Sequence, residues 1–172
     1  MMGVEMLSTG EVACFGRDRY EAYLKGLVAT GFALPRRAIF LSIGGVFQKE
    51  EMLSSVEKLN ELGFALYCSK GSWEYYTQKG IQVNLVEWPN DESNDGGVTS
   101  SSKTASAVST IAELISKKDF DLAINLPIRG SGAYRVSACV SMGYKTRRMT
   151  IDNGIPLITD VKCAKLFVEV RY

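Results

Sequence analysis

Apolar residues along this chain gather into short runs, separated by longer stretches in which they recur every three or four positions. The runs at 38–44, 64–68, 121–126 and 155–158 have the lengths of buried strands, and 81–86 alternates as a strand does. Between them, Tyr20, Tyr23, Leu24, Leu27 and Val28 mark one face of a helix over 17–30 that Gly31 ends. Met52, Val56 and Leu59 mark a second helix, entered from Gln48 and stopped at Gly63. Further helices are expected over 73–79, over 107–118 with Val108, Ile111, Leu114 and Ile115 inward, and from Asp160, as N-cap, to Glu169. Residues 136–153 are read as helical in parts. Strand and helix alternate about five times without a hairpin signal, which predicts one parallel α/β sheet with helices on both faces. The 172 residues suffice for one such domain.

Composition narrows the function classes. Twenty basic residues against 19 acidic ones nearly cancel, so nothing points to a nucleic-acid or membrane surface. No apolar run is long enough to span a bilayer, and no basic-then-apolar signal segment opens the sequence. Cys14, Cys68, Cys139 and Cys163 lack the paired spacing of a zinc or redox site and read as small buried residues in a reducing cytoplasm. There is no histidine, which removes the commonest metal ligand and the commonest acid–base group. No metal or cofactor is therefore expected. Residues 90–102, acidic and then rich in serine and glycine, are expected to form a mobile loop.

Candidate chemistry centres on the stretch from Phe64 to Trp73. Its first half reads as a strand that stops at Ser69-Lys70-Gly71-Ser72 and turns into a helix at Trp73. Such a turn gathers two hydroxyls, an ammonium and backbone N–H groups at the positive end of a helix dipole, where an anion is favoured. A plainer reading has Ser72 capping the helix and Gly71 making the turn. As turn hydroxyls, Ser69 and Ser72 are expected to contribute little to the core. In parallel sheets ligands sit beyond the carboxyl ends of the strands, near the switch in strand order. The residues there are Ser42, Lys49, Ser69, Ser72, Trp88, Asn125, and Arg129 on a glycine loop. Together they suit a phosphate-bearing ligand with a ring or apolar part. Each has a blander alternative: Lys49 a solvated charge at a helix start, Trp88 packing, Asn125 a partner for strand-end backbone groups, Arg129 an exposed loop charge. Neither the P-loop nor the dinucleotide glycine fingerprint is present.

Met6-Leu7-Ser8-Thr9-Gly10-Glu11-Val12 resembles the Met-x-Ser-Thr-Gly-Glu-Val motif that closes the synthetase part of carbamoyl-phosphate synthetases. Ile124-Asn125-Leu126 and the run from Pro156 to Glu169 resemble their C-terminal allosteric domain, which has the methylglyoxal synthase-like fold. The late run is most similar to the multifunctional pyrimidine-pathway branch of that family. The resemblance covers nearly the whole chain and implies a five-stranded parallel sheet of order 3-2-1-4-5. It also implies that residues 1–16 are a junction arm from a preceding ATP-grasp synthetase domain of the same polypeptide, and 17–172 the regulatory domain. The chain is accordingly expected to be a piece of a longer, cytoplasmic protein.

For the site, the resemblance implies UTP as a feedback inhibitor, with phosphoribosyl pyrophosphate as activator in animal members. Ser42, Lys49, the phosphate turn Ser69-Lys70-Gly71-Ser72 and Asn125 match the family's positions. Trp88 stands where bacterial members carry lysine, as it does in the pyrimidine-pathway branch and in the branch that responds to N-acetylglutamate. Arg129, with Gly130, Ser131 and Gly132, fits the pyrimidine branch and suits a triphosphate. Ser137 falls at that branch's phosphorylatable serine, although Tyr134-Arg135 precede it here rather than two arginines. Thr150, which follows Arg147-Arg148-Met149, is read as packed in a helix. The alternative is a lyase of the methylglyoxal synthase type, which needs a histidine and a carboxylate base beside the phosphate. The chain has no histidine, and Asp91 and Asp95 fall in the loop, so the domain is read as non-catalytic. A pure interaction module is a third reading. The oligomeric state is left open, a dimer included.

Overall fold

In the computed structural model, which describes residues 10–87, 110–127 and 142–170, the apolar runs form five strands. They are β1 Ala38–Ile43, β2 Ala65–Ser69, β3 Asn84–Val86, β4 Leu122–Leu126 and β5 Leu157–Ile158, all parallel, in the order β3-β2-β1-β4-β5. Helices α1 Arg19–Ala29, α2 Val46–Glu51, α3 Leu53–Glu61, α4 Lys70–Gln78, α5 Ile111–Ser116, α6 Met142–Asp152 and α7 Val161–Glu169 surround the sheet. Fold class and strand order are those expected from the sequence.

The period-two alternation of the strands builds two cores. Ile39, Leu41 and Ile43 of β1, with Leu122, Ile124 and Leu126 of β4, meet Val56 and Leu59 of α3, Tyr76 of α4 and Phe167 of α7. On the opposite face Ala38, Phe40 and Ala123 meet Ile111 and Ile115 of α5, with Met149 of α6 against them. Phe120 anchors that second layer, its ring 5.3 Å from Phe40 and 5.2 Å from Tyr67. β1 and β4 are buried on both sides, which is why their sequences read as unbroken apolar runs. Between these two strands the chain changes direction across the sheet, so the switch point lies at β1 and β4.

Several boundaries differ from the sequence expectation. The single helix expected after β1 is two, α2 and α3, divided at Met52. Met52 is fully buried while α2 buries no residue, so the break lets one side chain enter the core as α2 stays on the rim. The first half of the expected strand 81–86 is irregular, and only Asn84–Val86 pairs, with β2. α4 begins at Lys70 rather than Trp73, so the anticipated turn is the first turn of a helix. Asp160 caps α7 as expected, its Oδ1 accepting from the N–H groups of Lys162 at 2.9 Å and Cys163 at 3.1 Å. Thr150 is packed inside α6, its hydroxyl donating to Thr146 O at 2.7 Å. Cys68 is buried and its thiol is pushed up to about 12 by desolvation, whereas Cys14 and Cys163 are only half-buried. Cys139, the loop 90–102, residues 107–109 and the segment 136–141 lie outside the described residues. Among the described residues no helix is long and apolar enough to cross a membrane.

At the amino edge of the sheet one carboxylate holds three strand-entry amides. Asp121 Oδ2 accepts from the N–H groups of Arg36 at 3.1 Å, Arg37 at 2.6 Å and Ala38 at 3.1 Å. Burial pushes the carboxyl upward, but those three bonds and the Arg37 guanidinium outweigh it and hold Asp121 below its ordinary 3.8. A carboxyl depressed on folding contributes stability above its unfolded pKa and loses it as pH falls through the folded one. Asp121→Asn should therefore lower the unfolding free energy by about 1–3 kcal/mol at neutral pH. It should also flatten the loss of stability on acidification below the ordinary 3.8. Urea unfolding of both proteins across that range checks this, and parallel acid profiles would refute it.

Candidate functional site

Extended backbone places alternate residues of each strand on one face. Ser42, Ser69 and Asn125 are therefore on the side of Phe40, Tyr67 and Ala123, one step beyond the apolar layer. Register aligns them in a row at the carboxyl edge, with Ser42 opposite Asn125 and Ser69 opposite Val86. Ser42 and Asn125 thus flank the switch point. Beyond this row opens a cleft of about 540 Å³ lined by Ser42, Ser69, Lys70, Gly71, Val86, Glu87, Ile111 and Met142.

The sequence Ser69-Lys70-Gly71-Ser72 makes the wall of this cleft from a helix start. Ser69, with φ −63° and ψ 152°, is the N-cap of α4, and no side chain caps the helix among the described residues. The amides of its first turn, which no helix can satisfy internally, stand at the positive end of the dipole. Lys70 is exposed beside them. Ser72 has a different task from the one expected. It is 1% exposed, and its Oγ accepts from Ile43 N–H at 2.9 Å and lies 3.4 Å from Ile43 O. Ser69 Oγ, 3.5 Å away, completes its surroundings. The Ser72 hydroxyl is thus spent inside the protein, holding α4 to the end of the central strand, and the expectation that it contributes little to the core is corrected.

Lys49 is brought to the same helix. Its Nζ donates to Gly71 O at 2.7 Å and lies 6.0 Å from the centre of the Tyr75 ring. Tyr76 closes the contact by donating its hydroxyl to Lys49 O at 3.2 Å. Lys49 therefore stands behind the cleft wall rather than on it, with one of its three donors used among the described residues. Asn125 is 2% exposed, and its Oδ1 accepts from Arg147 Nη1 at 3.0 Å. Trp88, Arg129 and Ser137 lie outside the described residues.

Two polar groups at the site were not singled out in the sequence. Glu87 enters the lining because its carbonyl accepts from Ile111 N–H at 3.0 Å, pairing the end of β3 with the start of α5. Arg147 comes from α6, whose start the sequence pattern did not locate. No local signal could have exposed either, since both depend on contacts distant in sequence. Among the described residues no group of three or more cysteine or carboxylate side chains is placed to hold a metal. The arrangement offers instead backbone donors and cations for an anion, beside an apolar surface formed by Val86, Ile111 and Met142.

A parallel α/β domain with such a cleft at its switch point belongs to the class of folds that bind small ligands at the carboxyl edge. Residues 51–159 match the MGS-like domain family, and the chain belongs to that family. It is 46% identical over 169 residues to the multifunctional protein CAD of Squalus acanthias, a match covering 98% of this chain and 7% of that protein. It is 43% identical over 169 residues to the multifunctional protein URA2 of Saccharomyces cerevisiae, again 98% of this chain and 7% of the relative. Identity to the mitochondrial carbamoyl-phosphate synthase (ammonia) of Homo sapiens is 33% over 165 residues, 96% of this chain and 10% of that one. The chain thus spans a tenth or less of these relatives.

The buried clasp makes a direct prediction. Ser72→Ala leaves the Ile43 amide without its partner and should cost about 1–3 kcal/mol of unfolding free energy. Ser69→Ala, at a half-buried position with only a 3.5 Å contact, should cost less than about 1 kcal/mol. Chemical denaturation of the two variants distinguishes them, and equal costs would contradict the assignment.

Proposed function

We propose that this chain is the allosteric regulatory domain of a glutamine-dependent carbamoyl-phosphate synthetase in de novo pyrimidine biosynthesis. In this reading residues 1–16 join it to an ATP-grasp synthetase domain, and 17–172 form the regulatory unit. UTP is the feedback inhibitor, and phosphoribosyl pyrophosphate is the activator that competes with it. The observation that carries the reading is the uncapped start of α4, set beside Ser42 and Ser69 at the switch point. The similarity to the multifunctional proteins supports it.

The triphosphate lies over the amides of Lys70, Gly71 and Ser72, with the Ser69 hydroxyl and Lys70 in reach and Lys49 adding positive charge from behind the wall. Arg129, outside the described residues, is the further cation that the family resemblance offers. The uracil packs on the apolar side of the cleft formed by Val86, Ile111 and Met142, and Trp88, outside the described residues, is the further ring-binding candidate. Ser72 acts here through its backbone, its hydroxyl being committed to β1. Inhibition requires that UTP bind two states of the longer protein unequally, with a coupling of about 1–3 kcal/mol. Phosphate on Ser137 would set negative charge against the triphosphate and weaken it.

One observation favours a second reading. Glu87, an exposed acidic residue, is among those lining the cleft, and a lyase acting on dihydroxyacetone phosphate would need a carboxylate base for proton abstraction. The absence of histidine weighs against it.

Calorimetric titration with UTP, phosphoribosyl pyrophosphate, N-acetylglutamate and dihydroxyacetone phosphate separates the readings. The regulatory reading predicts that UTP binds and that phosphoribosyl pyrophosphate displaces it. It predicts neither methylglyoxal nor phosphate released from dihydroxyacetone phosphate. Release above that of a Glu87→Gln control would overturn it in favour of the lyase, and tight N-acetylglutamate with no UTP binding would move the chain to the other regulatory branch.

A further inference from the structure

We infer that Arg147 is the cation that meets the anionic part of the ligand at this cleft, and that Asn125 is its positioning residue. The inference deepens the regulatory reading and rests on it. Asn125 is buried and both ends of its carboxamide are engaged. Oδ1 accepts from Arg147 Nη1 at 3.0 Å, and Nδ2 donates to Gly143 O at 3.5 Å. The amide therefore works on α6, and what it holds is a guanidinium.

Among the described residues that guanidinium has donors to spare. Arginine carries five donors, and the contact with Asn125 is the only one Arg147 makes among the described residues. Its neighbour Arg148 faces solvent and pairs with Asp152 at 2.9 Å, as a surface arginine usually does. Arg147 is half-buried yet has no carboxylate partner among the described residues. A partly desolvated charge whose partner among the described residues is neutral gains from an anion in front of it, which would offset the cost of its burial.

Position supplies the direction. A Cβ on Gly143 would lie 3.4 Å from Arg147 Nη1 and 3.9 Å from Asn125 Oδ1, ordinary contact distances that set Gly143 directly beside the pair. Met142, just before it, lines the cleft, as does Ser42, the register partner of Asn125. The guanidinium thus sits where the end of β4 meets the start of α6, next to the Ser42 and Met142 part of the cleft wall rather than in the lining itself. Its planar fork suits two oxygens of a phosphate chain.

The test titrates the chain with inorganic tripolyphosphate and with UTP, and follows thermal unfolding of each variant. Arg147→Met should weaken tripolyphosphate binding about ten- to a hundredfold, the usual range for lost charge-assisted bonds, and Arg147→Lys should recover part of it. Asn125→Asp keeps an acceptor for Arg147 and adds the missing counter-charge. It also loses the donor to Gly143 O, so the midpoint should fall slightly, whereas the anion should weaken as far as in Arg147→Met, which loss of the 3.5 Å Gly143 contact alone would not produce. Asn125→Ala combined with Arg147→Met should bind no more weakly than Arg147→Met alone. Parental affinity in Arg147→Met or Asn125→Asp would overturn the inference and leave the regulatory reading standing. A parent chain that binds neither UTP nor tripolyphosphate would overturn both.

Discussion

The hydrogen bond from the Ile43 amide to the Ser72 hydroxyl fixes the geometry on which the cleft depends. β1 is the middle strand, and the N–H of its last residue is buried where an unpaired donor is costly. Satisfying it with a side chain from the first turn of α4 sets that turn against the end of the central strand. The other features follow from this placement. Ser69 becomes an N-cap at the rim, Gly71 presents its carbonyl to Lys49, and Tyr76, one turn further, ties the helix to the backbone of α2. Each of these contacts holds the polar wall rigid, and rigidity lets backbone amides act as preorganised donors rather than as fraying helix ends.

The two edges of the sheet solve the same electrostatic problem differently. At the amino edge three successive amides converge on Asp121, so the protein supplies its own anion. At the carboxyl edge the first-turn amides of α4 have no capping side chain among the described residues, and two nearby cations have neutral partners. Lys49 donates to a carbonyl and Arg147 to a carboxamide. The single carboxylate on the described wall, Glu87, is on the β3 side, away from both. This asymmetry suits a bound anion at one end and none at the other. The apolar remainder of the cleft leaves room for the part of a ligand that is not charged.

Most of the fold was legible because parallel strands buried on both faces are written as continuous apolar runs. The strands β1 and β4 were visible that way, β2 was visible by its apolar run although only one of its faces is buried, and Gly31 and Gly63, with φ of +81° and +83°, end α1 and α3 as punctuation predicts. The boundaries that misled were decided by tertiary contacts. α4 starts three residues early because Ser72 is claimed by β1, and α2 parts from α3 because Met52 is claimed by the core. The site was partly legible for a similar reason: strand ends are local, so Ser42, Ser69 and Asn125 could be located. What each side chain does there was not. Ser72 reads as a ligand hydroxyl until the Ile43 amide is seen, and Asn125 as a ligand amide until Arg147 is. Glu87 and Arg147 had no signal because pairing of β3 with α5, and of β4 with α6, brings them in from far along the chain.

The account stands or falls on where an anionic effector sits. Backbone amide and arginine side-chain N–H chemical shifts of the isotopically labelled chain, followed as UTP is added, locate it residue by residue. The account predicts large, saturable shifts for Lys70, Gly71 and Ser72 and for the Arg147 side chain, with Arg36, Arg37 and Ala38 at the opposite edge unmoved. Saturable shifts confined to the amino edge, or a spectrum unchanged at millimolar UTP, would contradict it.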